Sequence, residues 1–113
     1  FRYGEGDTSR LTSNPIPIQI PSGFVLYQNY PNPFNPSTRI QFYSLEFADG
    51  EVSIYNTLGE KVKTVFSGKI HPGNNFTDWD GRDDRGRNVA SCVYFYRFRT
   101  PTFSETKRML LIR

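Results

Sequence analysis

The densest group of side chains able to do chemistry is Asp78-Trp79-Asp80-Gly81-Arg82-Asp83-Asp84-Arg85-Gly86-Arg87. Four carboxylates, Asp78, Asp80, Asp83 and Asp84, fall within seven positions, and Ca²⁺ gathers roughly six to eight oxygen ligands of this kind. The order does not fit an EF-hand loop: a glycine follows the second aspartate and no closing glutamate comes after. Asp and Gly are also turn residues, because an aspartate carboxylate accepts a hydrogen bond from the backbone amide two positions on. The stretch is therefore read as a structural turn whose surplus carboxylates pair with Arg82, Arg85 and Arg87. Calcium at Asp78, Asp80, Asp83 and Asp84 is the alternative, and no other cofactor is expected.

Other reactive groups are sparse. The single histidine, His71, precedes Pro72-Gly73 in a loop, with no second imidazole to share a metal. The single cysteine, Cys92, opens an apolar run and is expected to be a small buried residue. A thiol nucleophile would need an imidazole beside it, and only His71 could supply one. No pair of carboxylates is spaced to select an acid and a base. These residues specify no catalytic centre, so the chain is expected not to be an enzyme.

The elements that carry these residues follow from composition and pattern. A chain of 113 residues supports one modest core, here drawn from 10 Phe and 7 Tyr. A net charge of +3 makes the surface mildly basic without implying nucleic acid. One cysteine excludes an intrachain disulfide, and no apolar run reaches the roughly 20 residues that span a bilayer. The chain opens on Phe1, which is expected of a piece of a longer protein whose leader and active part lie upstream. Residues 1–23 are polar and end in Asn14-Pro15-Ile16-Pro17-Ile18-Gln19-Ile20-Pro21, a composition that blocks helix and suits a linker or the tail of a preceding domain.

From residue 24 to residue 113, short β-branched and aromatic runs end in Gly, Pro, Asn or Asp, and no helical period appears. Strands are predicted over 24–28, 38–45, 51–56, 61–67, 75–79, 92–100 and 103–112, about seven, as in an all-β, Ig-like antiparallel sandwich. Val52, Ile54 and Asn56 oppose Ser53 and Tyr55, and Val62 and Val65 flank Lys61, Lys63 and Thr64, so one face is core and the other wet. Asp49-Gly50 and Leu58-Gly59 are predicted to supply positive-φ hairpin glycines. Val93-Tyr94-Phe95-Tyr96 predicts a central strand, with Arg97 and Arg99 emerging at the solvent. Four apolar residues near the end, Met109 to Ile112, require docking or recognition. Tyr27, Tyr30, Phe34, Tyr43, Tyr55, Trp79, Tyr94 and Tyr96 are divided between the core and a sugar-stacking platform. A carbohydrate-binding module would show an exposed aromatic row on one sheet face. Asn75-Phe76-Thr77 matches a glycosylation triplet that matters only in a eukaryotic secretory setting.

Three stretches together carry a resemblance. Leu26-Tyr27-Gln28-Asn29-Tyr30-Pro31-Asn32-Pro33-Phe34-Asn35-Pro36-Ser37-Thr38-Arg39-Ile40, then Tyr55 to Val62, then Trp79 to Gly86 with Val89-Ala90-Ser91, Val93 to Tyr96 and the closing Lys107-Arg108-Met109-Leu110-Leu111-Ile112-Arg113 resemble the C-terminal sorting domain of the type IX secretion system. The resemblance covers residues 24–113. It implies an Ig-like domain at the end of an exported cargo protein, secreted through the periplasm of a Gram-negative bacterium to the medium or the outer-membrane surface. It further implies recognition by an outer-membrane translocon and removal by a sortase-like peptidase, with Lys107 to Arg113 as the sorting signal. A terminal edge strand could be read by β-augmentation.

The lead-in Asn29 to Pro36 has a structural reading too. Pro31, Pro33 and Pro36 prevent strand pairing and carry the chain round a corner, Asn29, Asn32 and Asn35 cap irregular backbone, and Tyr30 and Phe34 anchor it to the core. Cys92, where the resembled family has Gly, and Glu46-Phe47-Ala48, in place of a proline turn, depart from its pattern. Trp79-Asp80-Gly81-Arg82-Asp83-Asp84-Arg85-Gly86 and Val93-Tyr94-Phe95-Tyr96 also resemble the Ig-like domain of flagellar hook-capping proteins, which implies a structural accessory module as the competing function.

Overall fold

The computed structural model describes residues 23–113, so all but the last residue of the expected linker lies outside the described residues. Seven strands follow one another: β1 (Phe24–Leu26), β2 (Thr38–Ser44), β3 (Ala48–Tyr55), β4 (Lys61–Ile70), β5 (Gly73–Trp79), β6 (Cys92–Thr100) and β7 (Phe103–Leu111). They form two antiparallel sheets, β1-β2-β5 and β4-β3-β6-β7, packed as an Ig-like sandwich. β6 lies inside the larger sheet, as its apolar start predicts, and β4 and β7 are that sheet's edges.

Alternation explains which residues fill the space between the sheets. Thr38, Ile40, Phe42 and Ser44 point inward from β2, and Tyr94, Tyr96, Phe98 and Thr100 point inward from β6. Aromatic rings share the filling with Leu, Ile, Val and Met side chains. Phe42 packs on Phe98 at 4.7 Å and on Phe66 at 5.4 Å. Trp79 meets Tyr94 edge-on at 5.2 Å and Phe34 at 5.7 Å, separations at which aromatic pairs add about 0.5–1.5 kcal/mol beyond burial.

Several local expectations are corrected. β1 ends at Leu26 because the chain then turns away, and β3 begins at Ala48, so Gly50 lies within a strand instead of a turn. What Gly50 provides is close approach: a Cβ there would stand 2.5 Å from Ile70 Cδ1 and 3.0 Å from the Arg99 carbonyl. Gly59 does take the predicted left-handed conformation, at φ +82°, in a turn capped by Asn56 Oδ1, which accepts from the amides of Leu58 and Glu60. The wet face of β3 is also covered locally. Ser53 is buried, its hydroxyl donating to Glu51 Oε2, and register shifts beside Ser53 and Tyr55 break strict alternation. Asn56, expected on the core face, sits half-buried in the turn. Cys92 is exposed, because the strand has barely begun there and no layer covers it.

Candidate functional site

The lead-in and the tail lie some 75 residues apart in sequence but meet along the free edge of β7. β7 pairs with β6 from Phe103 opposite Thr100 to Leu111 opposite Cys92. Both backbone groups of Leu110 point the other way: its N–H donates to Asn32 Oδ1 at 3.0 Å and its carbonyl accepts from Phe34 N at 3.0 Å. The Ile112 N–H then donates to the Phe34 carbonyl at 3.0 Å, and Gln28 Nε2 donates to the Arg108 carbonyl at 2.8 Å. The lead-in is thus a strap that occupies the C-terminal half of the edge, pairing Phe34 with Leu111 in parallel. Backbone groups alternate sides along an antiparallel strand, so Thr106 and Ser104, of the same parity as Leu110, face the open part of that edge.

The strap owes its shape to side chains that sequence reasoning identified in part. Phe34 is buried against Trp79, as expected of an anchor. Tyr30 is not an anchor: it is 81% exposed, because its bridge to Arg39 turns its side chain outward. Asn29 is buried and caps the bend, its Nδ2 donating to Thr38 Oγ1 at 2.9 Å and to the Pro31 carbonyl at 3.2 Å. Tyr96 completes the hold from β6, its hydroxyl donating to the Tyr27 carbonyl at 2.7 Å and accepting from Asn29 N at 2.9 Å. Burial pushes the Tyr96 phenol up to about 12. Asn35 and Pro36 are exposed beyond the strap, and the peptide bonds preceding Pro31, Pro33 and Pro36 are cis.

Within the tail, burial alternates. Met109 and Leu111 are fully docked in the core, whereas Arg108 and Ile112 are exposed and Leu110 and Lys107 are half-buried. Arg113 is fastened to the Asp-rich turn. Its amide donates to Ser91 Oγ at 2.8 Å and its Nε to the Val89 carbonyl at 2.7 Å, while Nη2 donates to the Gly81 carbonyl. Gly81 sits at φ +74°, and a Cβ there would stand 2.7 Å from Arg113 Nη2. The lead-in, the Trp79-Asp80-Gly81 turn and the tail therefore form one continuous assembly.

The turn itself uses its carboxylates locally. Asp83 Oδ1 accepts from the amides of Arg85 and Arg87, both at 2.9 Å, and Oδ2 from Arg87 Nε at 3.1 Å. The Arg87 amide foremost holds the Asp83 carboxyl below the usual range. Asp80 accepts from Arg82 N at 3.1 Å, and Asp78 faces away to pair with Arg39 at 2.9 Å. Asp84 is exposed, its amide donating to the Val62 carbonyl. Among the described residues, no three His, Cys, Asp or Glu side chains gather as metal ligands. An open depression beside the turn is walled by Glu60, Asp83 and Asp84 against Lys61, Arg85 and Arg87, which leaves no net charge to concentrate an ionic substrate.

His71 and Cys92 lie at opposite ends of the larger sheet, His71 following Ile70, which pairs with Ala48, and Cys92 opposite Leu111. The length of β6 separates these ends by roughly 25 Å, so no thiol–imidazole pair forms. His71 stacks edge-on against Phe47 at 5.6 Å.

No match was found among curated proteins. Similar solved structures include two from one organism. Dimeric latent PorU from Porphyromonas gingivalis shares 19% identity over 79% of this chain, with a TM-score of 0.64, a likeness of fold. PorZ of the same organism, described as an essential bacterial surface component of the type IX secretion system, shares 26% identity over 78% of this chain, with a TM-score of 0.55. The chain corresponds to only 9% and 11% of those proteins. A sequence model of the FlgD Ig-like domain matches residues 33–99, from the strap through β6. On that match, which spans more than half of its length, the chain belongs to the FlgD Ig-like domain family.

Proposed function

We propose that this domain is the secretion and sorting tail of a larger exported protein, with no catalysis of its own. The single observation that carries this reading is the convergence of the Asn29–Pro36 lead-in with Lys107–Arg113 on one edge. These two stretches bear the resemblance to sorting domains, and they build one composite surface that neither could form alone. The likeness to PorZ, a surface component of that secretion system, supports it.

In this reading the outer-membrane translocon recognises the exposed side chains Arg108 and Ile112 and the half-buried Leu110 together with the strap. The unpaired stretch at Ser104 and Thr106 offers backbone groups for an added strand. A sortase-like peptidase then acts upstream of the domain, and the cargo ends in the medium or on the outer-membrane surface. The experiment is to place the whole chain at the C-terminus of a periplasmic reporter in a host with this secretion system. Export that depends on the chain and on an intact translocon is expected; retention of the fused reporter in the periplasm overturns the reading. A purely structural accessory module is the second reading, favoured by the family match, which ends at Arg99 in β6 and leaves out the whole tail.

A further inference from the structure

The outer face of the smaller sheet carries side chains that the core and the tail surface do not use. Three outward rows cross it in register: Val25, Tyr43 and Asn74; Tyr27, Gln41 and Phe76; Tyr30, Arg39 and Asp78. Tyr27, Tyr30 and Phe76 are exposed and Tyr43 is partly so, whereas Phe34, Trp79, Tyr94 and Tyr96 are buried in the core. Four aromatic rings in a single sheet face, none filling the core, form a patch of the kind that marks an interaction site.

The polar groups between the rings say what kind of ligand fits. Gln41 Nε2 donates to Asn74 Oδ1 at 3.0 Å, and Arg39 Nε pairs with Asp78 Oδ1 at 2.9 Å, with its guanidinium 5.6 Å from the Phe76 ring centre. Every charge on the face is thus offset by its neighbour, while amide, guanidinium and carboxylate groups remain available as hydrogen-bond donors and acceptors. Uncharged hydroxyls suit this surface better than phosphates or uronic acids. Tyr27, one residue past the end of β1 and bonded through its amide to the Gln41 carbonyl, and Phe76 on β5 stand two strand spacings or about 10 Å apart, with Gln41 between them. That separation is close to the repeat of two sugars in an extended glycan.

We propose that this face is a binding platform for a neutral, extended β-linked polysaccharide, with Tyr27, Tyr43 and Phe76 stacking on pyranose rings and Gln41 and Arg39 bonding hydroxyls. It is independent of the sorting surface on β7. The test is calorimetric titration of the whole chain with cellohexaose, chitohexaose and β-mannohexaose. Saturable binding to at least one is expected, weakened at least about tenfold in the Tyr27→Ala/Phe76→Ala variant and unchanged by Tyr55→Ala on the opposite sheet. Backbone NMR shifts of the unaltered chain, expected to move in β1, β2 and β5 on titration, keep the test open should the double variant unfold. The proposal is overturned by failure of all three sugars to bind, or by binding that survives the double substitution. Self-association through this face, abolished by the same substitutions, would equally overturn it in favour of a protein interface.

Discussion

The tail is asked to do two things at once, and Leu111 and Ile112 separate them. Leu111 is fully buried beneath the strap and bridged to Phe34, while its neighbour Ile112 is 48% exposed. Removing a buried leucine side chain costs its transfer free energy plus that of the cavity left behind, about 2–5 kcal/mol in all. Leu111 belongs near the middle of that range, since hydrogen bonds on both sides of it, from the Phe34 amide to the Leu110 carbonyl and from the Ile112 amide to the Phe34 carbonyl, resist collapse of the site. A loss of about 3 kcal/mol is a large part of the roughly 5–15 kcal/mol that holds a domain together. With a urea m-value of about 2 kcal/mol/M, it would lower the unfolding midpoint by about 1.5 M at unchanged m. Ile112→Ala, by contrast, should stay within about 0.5 kcal/mol of the parent. Equilibrium urea unfolding of the two variants checks this. Leu111→Ala within about 1 kcal/mol of the parent, or an equal cost at Ile112, would refute the docked, alternating tail.

Three further outcomes follow from the same geometry. Tyr96→Phe removes the acceptor of the buried Asn29 amide as well as the donor to Tyr27, and should cost about 1–3 kcal/mol by denaturant unfolding. Because the folded phenol is raised to about 12, its contribution is complete below the ordinary tyrosine value near 10 and is lost as pH climbs through 12, a decline that Tyr96→Phe should blunt. The Glu51 carboxyl is held down at about 2, chiefly by the Ser53 hydroxyl and then by Lys61, with Arg99 adding to the hold. Its stabilisation is therefore present above pH 4.5 and is lost as pH falls toward 2; solvent screening limits it to about 1 kcal/mol, and acid titration of Glu51→Gln should lack that step. With Asp83 committed to the turn, melting temperatures in chelator and in excess Ca²⁺ should coincide; a rise with calcium would restore the metal reading of Asp78, Asp80, Asp83 and Asp84.

Much of the fold was legible because strand periodicity is local. All seven predicted strands exist, and the central place of β6 followed from the apolar run at its start. What failed was set by contacts distant in sequence. Gly50 resembles a turn residue, yet it is required by Ile70 and Arg99, which approach from two other strands. Tyr30 has the composition of an anchor but is turned outward by its bridge to Arg39.

The candidate surface was visible as two separate motifs. Capping by Asn32 was expected, but nothing local names Leu110 as the group it caps. The exposed ring of Phe76 was legible and overlooked: counting back from Trp79, alternation places Thr77 and Asn75 inward and Phe76 outward.

The central claim, that the exposed half of the tail is read by the secretion machinery, is tested most directly without truncation, since deleting Lys107 to Arg113 would also remove Met109 and Leu111 from the core. The measurement is the exported fraction of a reporter carrying the whole chain, compared with the same fusion bearing Arg108→Glu and Ile112→Asp, with urea midpoints of the two matched. The account predicts at least a tenfold fall in export, about 1.4 kcal/mol of lost recognition, at unchanged stability. Equal export of the two fusions would contradict it.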